Sequence, residues 1–226
     1  MDYLYQNPLL HMGMIVPIER GTAQILYAQD DGVCLIETKS GAYMLSASSP
    51  RSGKKMLEYI PREGVFTFHQ TFMLDDFKKK VRYSTFLENY QAVYLSKKLL
   101  TVSSDIKIEP LDISYFEVVS EAYDIDIGSD YLKKRIEDGE LFGGLEDGKL
   151  IGFIGIHVEG SIGMLKVFDR YLRKGYGTAL TSYAINHQIS QGITPFEQIG
   201  TDNKASLAIA QKLGFSISAD KVYWLF

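Results

Sequence analysis

The chain has 226 residues, of which 46% are hydrophobic and 23% are charged, a composition typical of a folded globular protein. Its formal net charge of -4 argues against nucleic acid as a partner, because such binders need surplus Lys and Arg to displace counterions from phosphates. No apolar run approaches the roughly 18 residues of a membrane span, and no signal peptide is recognisable. We therefore expect a cytoplasmic protein with no membrane partner.

Cys34 is the only cysteine in the sequence. An internal disulfide and a cysteine metal cluster are therefore excluded, and we expect no bound metal. The residue lies in the apolar run Val33–Ile36, which favours a buried structural thiol over a nucleophile.

Strand signals separated by turns dominate the first hundred residues. The turns Asp30–Gly32 and Ser40–Gly41 predict a three-stranded meander, and we expect a small α/β domain, residues 1–103, without an obvious catalytic constellation. The predicted strands are Ala23–Ala28, Val33–Thr38, Ala42–Ala47, Val65–His69 and Gln91–Leu95, and the predicted helices are Lys54–Tyr59 and Leu74–Val81.

The polar segment Thr101–Asp105 is the best linker candidate, and it begins a second predicted domain, residues 104–226. Here the elements follow the order β-α-α-β-β-β-α-β-α-β. Asp112 is predicted to cap the first helix and Ser129 or Asp130 to begin the second. The predicted strands are Ile106–Ile108, Leu141–Leu145, Leu150–Val158, Ile162–Val167, Phe196–Ile199 and Val222–Phe226.

The segment from Leu165 to Leu180 predicts a strand, a basic loop with two glycines and a helix. A helix start offers free backbone N-H groups and a positive dipole end, and glycine allows close approach, so the turn suits a diphosphate. The pair Gly175 and Gly177 alone also fits an ordinary tight turn. A dinucleotide fingerprint is disfavoured because Leu180 replaces its third glycine and the preceding strands form hairpins.

A second motif follows, in which Asp202 or Asn203 caps a helix that closes with Lys212–Phe215. Together the two motifs resemble the GNAT superfamily of N-acetyltransferases. The phosphate-loop pattern of that family, L-x-V-x-P-x-x-R-x-x-G-x-G, is matched at Leu165, Val167, Gly175 and Gly177. The resemblance covers about residues 104–226 and implies an α/β (α+β) fold, a mixed and mostly antiparallel sheet flanked by helices, preceded here by a smaller α/β domain.

The resemblance implies acetyl-CoA as cosubstrate. Two departures are Leu172 in place of the basic residue of the motif and Asp169 in place of its proline. Backbone N-H groups and the neighbouring basic side chains still supply phosphate recognition. The residues that we expect to contact the cosubstrate are Leu165, Val167, Leu172, Arg173, Lys174, Gly175, Tyr176, Gly177, Thr178, Asn203 and Ser206.

The family resemblance further implies direct transfer to a primary amine in a ternary complex, with a backbone N-H near Val167 stabilising the oxyanion. The glutamate that often acts as base aligns with Ser161. Glu159 and His157 share its strand face and are the candidate bases, with a solvated turn residue and an ordinary, partly buried histidine as the respective alternatives.

The proton donor to the CoA thiolate is less defined, because Ala210 stands where many members place a tyrosine. Ser206 is one candidate, with Tyr176 and Tyr223 as the others. Three functions remain open: a small-molecule amine acetyltransferase, a protein N-terminal or lysine acetyltransferase, and an acyl-CoA sensor without turnover.

The first domain could complete the acceptor pocket, form a homodimer, or be a degenerate copy of the same fold. A domain order like that of the glycine N-acyltransferase group favours a small amine or an amino acid as acceptor. We expect the acceptor pocket to include the loop Asp124–Asp130.

Overall fold

The computed structural model of the protein describes residues 2–102, 106–123 and 128–226. The helices are α1 (Asp2–Tyr5), α2 (Pro8–Glu19), α3 (Pro50–Met56), α4 (Leu74–Lys80), α5 (Phe116–Ala122), α6 (Ser129–Glu137), α7 (Tyr176–Ser190) and α8 (Lys204–Leu213). The strands are β1 (Ala23–Gln29), β2 (Gly32–Glu37), β3 (Ala42–Ala47), β4 (Phe66–Phe68), β5 (Phe86–Val93), β6 (Lys107–Pro110), β7 (Leu141–Glu146), β8 (Lys149–Ile156), β9 (Ile162–Val167), β10 (Phe196–Gly200) and β11 (Ser216–Leu225).

The chain divides into two compact units. The first contains Met1–Val93, Phe196–Ala208 and Phe215–Phe226, and the second contains Tyr94–Pro195 and Ile209–Gly214. The predicted boundary between residues 103 and 104 lies outside the described residues, as do most of the predicted linker and residues 124–127 of the predicted acceptor loop. The division differs from the predicted one because β10 and β11 belong to the first unit.

The sheet of the first unit has the strand order β1-β2-β3-β4-β11-β5-β10, and only β3 and β4 pair in parallel. Strand β11 lies between β4 and β5, with Tyr223 opposite Phe68 on one side and Trp224 opposite Leu87 on the other. Strand β10 pairs with the far side of β5. Strands that are more than a hundred residues apart in sequence therefore form the middle of one sheet.

Aromatic side chains fill the core of the first unit. The Phe68 ring stacks on Phe77 with 4.2 Å between centroids and on Tyr223 with 5.0 Å. Cys34 belongs to the same core with no exposed surface, and burial raises the pKa of its thiol to about 12. The prediction of a buried structural thiol is confirmed, and Tyr223 is a packing residue.

Helix α2 is buried along most of its length, from Leu10 through Pro17. The Asn7 side chain accepts a hydrogen bond from the Leu10 amide at its start, and Pro8 occupies the first turn, where no intrahelical N-H is lost. At Gly13 an added Cβ would lie 2.8 Å from Nε2 of Gln198 in β10. The glycine therefore allows the helix to lie close to the sheet.

The sheet of the second unit is an antiparallel meander in the order β9-β8-β7-β6. The predicted hairpin between β7 and β8 is confirmed, and its turn residues Asp147 and Gly148 have φ values of 49° and 74°, as a type I′ turn requires. Apolar residues of α5 and α6 cover one face, including Val119, Leu132 and Ile136. The Asp112 side chain accepts from the Ser114 amide and so caps, as predicted, the start of the helical segment, which is a 3₁₀ turn, Ile113–Tyr115, that leads into α5.

A β-bulge interrupts the pairing of β8 and β9. Phe153 pairs with Lys166 and Gly155 with Gly163, so that Met164 and Leu165 stand opposite one residue of β8. Met164 has a φ of 54°, which bends β9 three residues before its end at Val167.

The predicted element order of residues 104–226 is confirmed, and so is the fold class, a mixed α/β structure with mostly antiparallel strands flanked by helices. Among the described helices, none is both long and apolar enough to cross a membrane.

Candidate functional site

The loop between β9 and α7 contains two residues in the left-handed region. Arg173 has a φ of 62° and Gly175, which precedes the first residue of α7, has a φ of 87°. Helix α7 has 15 residues, long enough for an appreciable dipole at its start. The amides of Gly177 and Thr178 lie in its first turn, where N-H groups have no acceptor within the helix.

A cleft of about 430 Å³ occurs elsewhere in the protein, but the cleft beside this loop is smaller, at about 230 Å³. The start of α7, Thr101 and Lys212 line the smaller cleft, which we call the lysine cleft. Its members include Lys174, Gly175, Tyr176, Thr178, Ser182 and Lys212. Two lysines, four hydroxyl side chains and a helix start converge there, and the described lining residues include no carboxylate. The chemistry of this set suits an anion.

Four of the predicted cosubstrate contacts line the lysine cleft: Lys174, Gly175, Tyr176 and Thr178. Gly177 lies instead against α8, where an added Cβ would be 3.0 Å from Cδ1 of Ile209 and 3.8 Å from Cγ2 of Val167. Leu165 is the next nearest side chain, at 4.0 Å. Gly177 therefore allows the start of α7 to approach both α8 and β9.

The other predicted contacts lie outside the lining of this cleft. Leu172 is 51% exposed and Arg173 is also exposed, at the tip of the loop. Asn203 and Ser206 belong to the first unit, where Asn203 Oδ1 accepts from the Ser206 amide at 3.0 Å and caps α8 as predicted. Lys212, Ser182 and Thr101 were not predicted as ligand contacts, although Lys212 belongs to the second motif.

Tyr176 contributes to the cleft mainly through its position. Its hydroxyl donates to the Glu146 carboxylate, and its ring is 7% exposed within an apolar cluster that also contains Tyr171. The Lys174 ammonium lies 5.8 Å from the centre of the Tyr176 ring and 5.4 Å from that of Tyr171. The two rings therefore hold the lysine stem beside the helix start.

A second polar cluster surrounds the turn between β8 and β9, and we call it the turn cluster: Tyr131, His157, Glu159 and Ser161. Ser161 Oγ donates to Glu159 Oε1 at 2.5 Å, and the Tyr131 hydroxyl lies 2.8 Å from His157 Nδ1. Glu159 is 8% exposed. The alternative of a solvated turn residue is therefore inconsistent with its burial.

Burial perturbs the titration of this cluster. It lowers the pKa of His157, an effect that Glu159 opposes and Arg135 reinforces. It also raises the pKa of Tyr131, with the Glu159 charge acting in the same direction. His157 is consequently neutral and Tyr131 protonated near pH 7, so that the imidazole retains an unprotonated nitrogen.

The lysine cleft and the turn cluster lie at opposite ends of the same elements. Ser161 precedes Val167 by six residues, about 20 Å along an extended strand. Gln188 Nε2 donates to the Gly160 carbonyl at 2.6 Å, and Gln188 follows Thr178 by ten residues, about 15 Å along the α7 axis. The lysine cleft and the turn cluster are thus separated by a distance that only an elongated ligand would span.

Residues 107–215 match the model of the Acetyltransferase (GNAT) family. This segment is a GNAT acetyltransferase domain. No curated protein matches the chain.

Solved structures share the fold at low sequence identity. A Drosophila protein has a TM-score of 0.72 at 14% identity, covering 99% of this chain and 93% of its own. A GCN5-related N-acetyltransferase from Kribbella flavida has a TM-score of 0.61 at 12% identity, with coverages of 96% and 95%. A GNAT-family acetyltransferase from Colwellia psychrerythraea has a TM-score of 0.54 at 17% identity, covering 97% of this chain and 90% of its own. These likenesses extend over the whole chain, including the part that precedes the GNAT domain.

Proposed function

We propose that the GNAT domain transfers an acetyl group from acetyl-CoA to the primary amine of a small molecule or amino acid, directly and within a ternary complex. The observation that carries the proposal is the lysine cleft at the start of α7, with Lys174 and Lys212 beside a left-handed Gly175. We also propose a cytoplasmic location, which is consistent with a lone buried cysteine.

The residues of the lysine cleft fit the anionic part of coenzyme A. Its diphosphate carries charge and acceptor oxygens, which the α7 amides and the two ammonium groups complement. Gly175 lacks a Cβ at the point of closest approach, and no atom lies within 4 Å of the position that a Cβ would take. The pantetheine arm then has an extended length suited to the separation between the cleft and the turn cluster.

The turn cluster supplies the candidate base for the amine, which attacks only when unprotonated. The family glutamate aligns with Ser161, and the Glu159 carboxylate lies within hydrogen-bond distance of that serine. We propose that Glu159 accepts the amine proton, directly or through water, with His157 as the alternative acceptor. Tyr131 positions the imidazole through Nδ1.

The bulge at Met164 and Leu165 supports the proposal of a backbone N-H donor in β9. A bulge removes a strand residue from regular pairing and redirects its backbone groups. We retain the N-H near Val167 as the donor to the oxyanion, and Ser206 or water as the proton source for the thiolate.

The test of the cosubstrate site is calorimetry with coenzyme A. Lys174→Ala and Lys212→Ala should each weaken binding by roughly tenfold, the effect of losing one charge-assisted hydrogen bond. Lys149→Ala is the matched control, because this exposed lysine lies in the β7–β8 hairpin and should leave affinity unchanged. Equal affinities in all three variants would contradict the assignment of the lysine cleft.

The test of turnover is the release of free thiol from acetyl-CoA in the presence of a panel of small primary amines and amino acids. Glu159→Gln should lower kcat by about 100-fold with little change in coenzyme A affinity. If the wild-type protein binds coenzyme A but no amine raises thiol release above the hydrolysis background, the protein is a sensor and not a transferase.

A further inference from the structure

The first unit contains the larger cleft, of about 430 Å³, formed beside α2 and β4. Its lining includes Leu10, His11, His69, Gln70, Phe72 and Asp220, and we call it the histidine cleft. None of these residues contributes to the lysine cleft or the turn cluster. The proposed acyl transfer therefore leaves this cleft without a role.

A saturated hydrogen-bond network holds one of its histidines. Ser46 Oγ lies 2.8 Å from His11 Nε2, while His11 Nδ1 lies 3.0 Å from the Leu4 carbonyl, which can only accept. His11 Nδ1 therefore carries the proton and Ser46 donates to Nε2. Gln70 Nε2 and the Tyr3 hydroxyl complete the contacts of the serine at 2.7 and 3.2 Å. Because Ser46 is fully buried, it is a positioning residue and not a nucleophile.

The second histidine has an unused acceptor. His69 Nδ1 donates to the Leu45 carbonyl at 2.9 Å, and Nε2 has no hydrogen-bond partner among the described residues. His69 is 1% exposed, and burial lowers its pKa to about 3, with the His11 ring acting in the same direction. Nε2 is therefore unprotonated and carries a free lone pair. A buried acceptor without a donor is energetically costly, so a ligand that donates a hydrogen bond there relieves that cost.

The charge of the histidine cleft is opposite to that of the lysine cleft. Asp220 is the only formal charge among the described lining residues, since both histidines are neutral and no lysine or arginine is present. Leu10 and Phe72 supply apolar surface. The complementary ligand has N-H donors, positive charge and a short apolar body.

We propose that the histidine cleft binds a small alkyl primary ammonium, which donates a hydrogen bond to His69 Nε2 and whose charge Asp220 balances. The site does not depend on acyl transfer, and the ammonium is an effector and not the acceptor that Glu159 deprotonates.

The test is a titration of the 226-residue protein with propylammonium in the absence of coenzyme A. Binding is monitored through the ¹⁵N chemical shift of His69 Nε2. The expected result is a saturable shift of this nitrogen while Nδ1 keeps its proton. Propanol and propionate, of similar size, should produce no saturable shift at the same concentrations. A signal unmoved by propylammonium means that only buried water satisfies Nε2, and an equal response to propanol means that charge plays no part. Either result overturns the proposal.

Charge recognition is tested by Asp220→Asn, which should weaken propylammonium binding by about tenfold. Asp30→Asn is the control, because this exposed aspartate lies in the β1–β2 turn and should leave affinity unchanged. Equal affinities of both variants for propylammonium would show that Asp220 does not balance the charge of the ligand. The binding experiment contains no coenzyme A, so a failure to bind propylammonium would not affect the thiol-release assay of the proposed function. Conversely, a failure of acyl transfer would not affect propylammonium binding.

Asp220→Asn is also assayed by thiol release with the panel of amines. Unchanged KM values beside weakened propylammonium binding are the expected result, and a higher KM for the acceptor amine would overturn the assignment of this cleft to an effector.

Discussion

Glu197 is the side chain in which burial and charge conflict most clearly. It lies in β10 with 8% of its surface exposed, and burial raises the pKa of its carboxyl from 4.5 to about 8. The folded state therefore holds a neutral carboxyl between these pH values, whereas the unfolded chain ionises. Since the unfolded state releases this proton first, the contribution of Glu197 lowers stability as pH rises from 4.5 to about 8.

Glu197→Gln should remove that loss because glutamine stays neutral. The free energy of unfolding of the variant should exceed that of the wild type by an amount that grows across this window, to the order of 3–5 kcal/mol near pH 8. Urea unfolding at several pH values measures it. Glu58→Gln, at an exposed position, is the control, and its free energy of unfolding should change with pH in parallel with that of the wild type. A constant offset for Glu197→Gln would show that its carboxyl titrates normally in the folded protein.

At the residue scale, the sequence predicted the environment of a side chain where that environment is determined by residues next to it in the chain. Cys34 was correctly placed in the core because it lies within the apolar run Val33–Ile36. The raised pKa of Glu197 could not be predicted, because the strands that bury it come from distant segments. The side-chain parity of β8 and β9 suggested Glu159 and His157 as bases, but Tyr131, which contacts His157, comes from α6 and was missed.

At the element scale, the two glycines that flank α7 allow the effect of glycine on stability to be separated from its effect on coenzyme A binding. Gly175 and Gly192 flank α7 with φ values of 87° and 74°, and neither has an atom within 4 Å of an added Cβ. Alanine at either position should lower the free energy of unfolding by about 1–2 kcal/mol, the cost of a left-handed residue. Only Gly175→Ala should also weaken coenzyme A binding, by about tenfold, in calorimetry. Equal affinities would show that the loop does not hold the diphosphate.

The sequence predicted hairpins better than buried elements. Turn residues made the β7–β8 hairpin and the amino-terminal meander evident, whereas α2 was missed because it is apolar on nearly every side and shows no amphipathic period. Strand β5 was predicted too late, at Gln91–Leu95. Its polar residues Asn89 and Gln91 obscured the pattern of a central strand, yet both are buried, and the Gln91 backbone amide donates a hydrogen bond to Ser218 Oγ.

At the scale of the whole molecule, the first unit requires strands from the far part of the chain. Fragment 1–93 lacks β11, which separates β4 from β5, and β10, which covers the other side of β5. We expect this fragment to show no cooperative thermal transition in circular dichroism, in contrast to the full-length protein. A sharp transition in the fragment would show that its amino-terminal strands suffice for folding.

Sequence patterns locate strands but not their partners, and this is why the predicted domains and the observed units differ. The two motifs correctly identified the GNAT domain at residues 107–215. The pairing of β11 with β4 and β5 depends on contacts over more than a hundred residues, which no local periodicity encodes.

The position of β11 also has a consequence for biosynthesis. A ribosome delivers β4 and β5 long before it delivers the strand that lies between them, so both remain with unpaired backbone edges while the intervening residues are translated. The nascent polypeptide should therefore depend on chaperones during that interval, and slower elongation should prolong its exposure to aggregation.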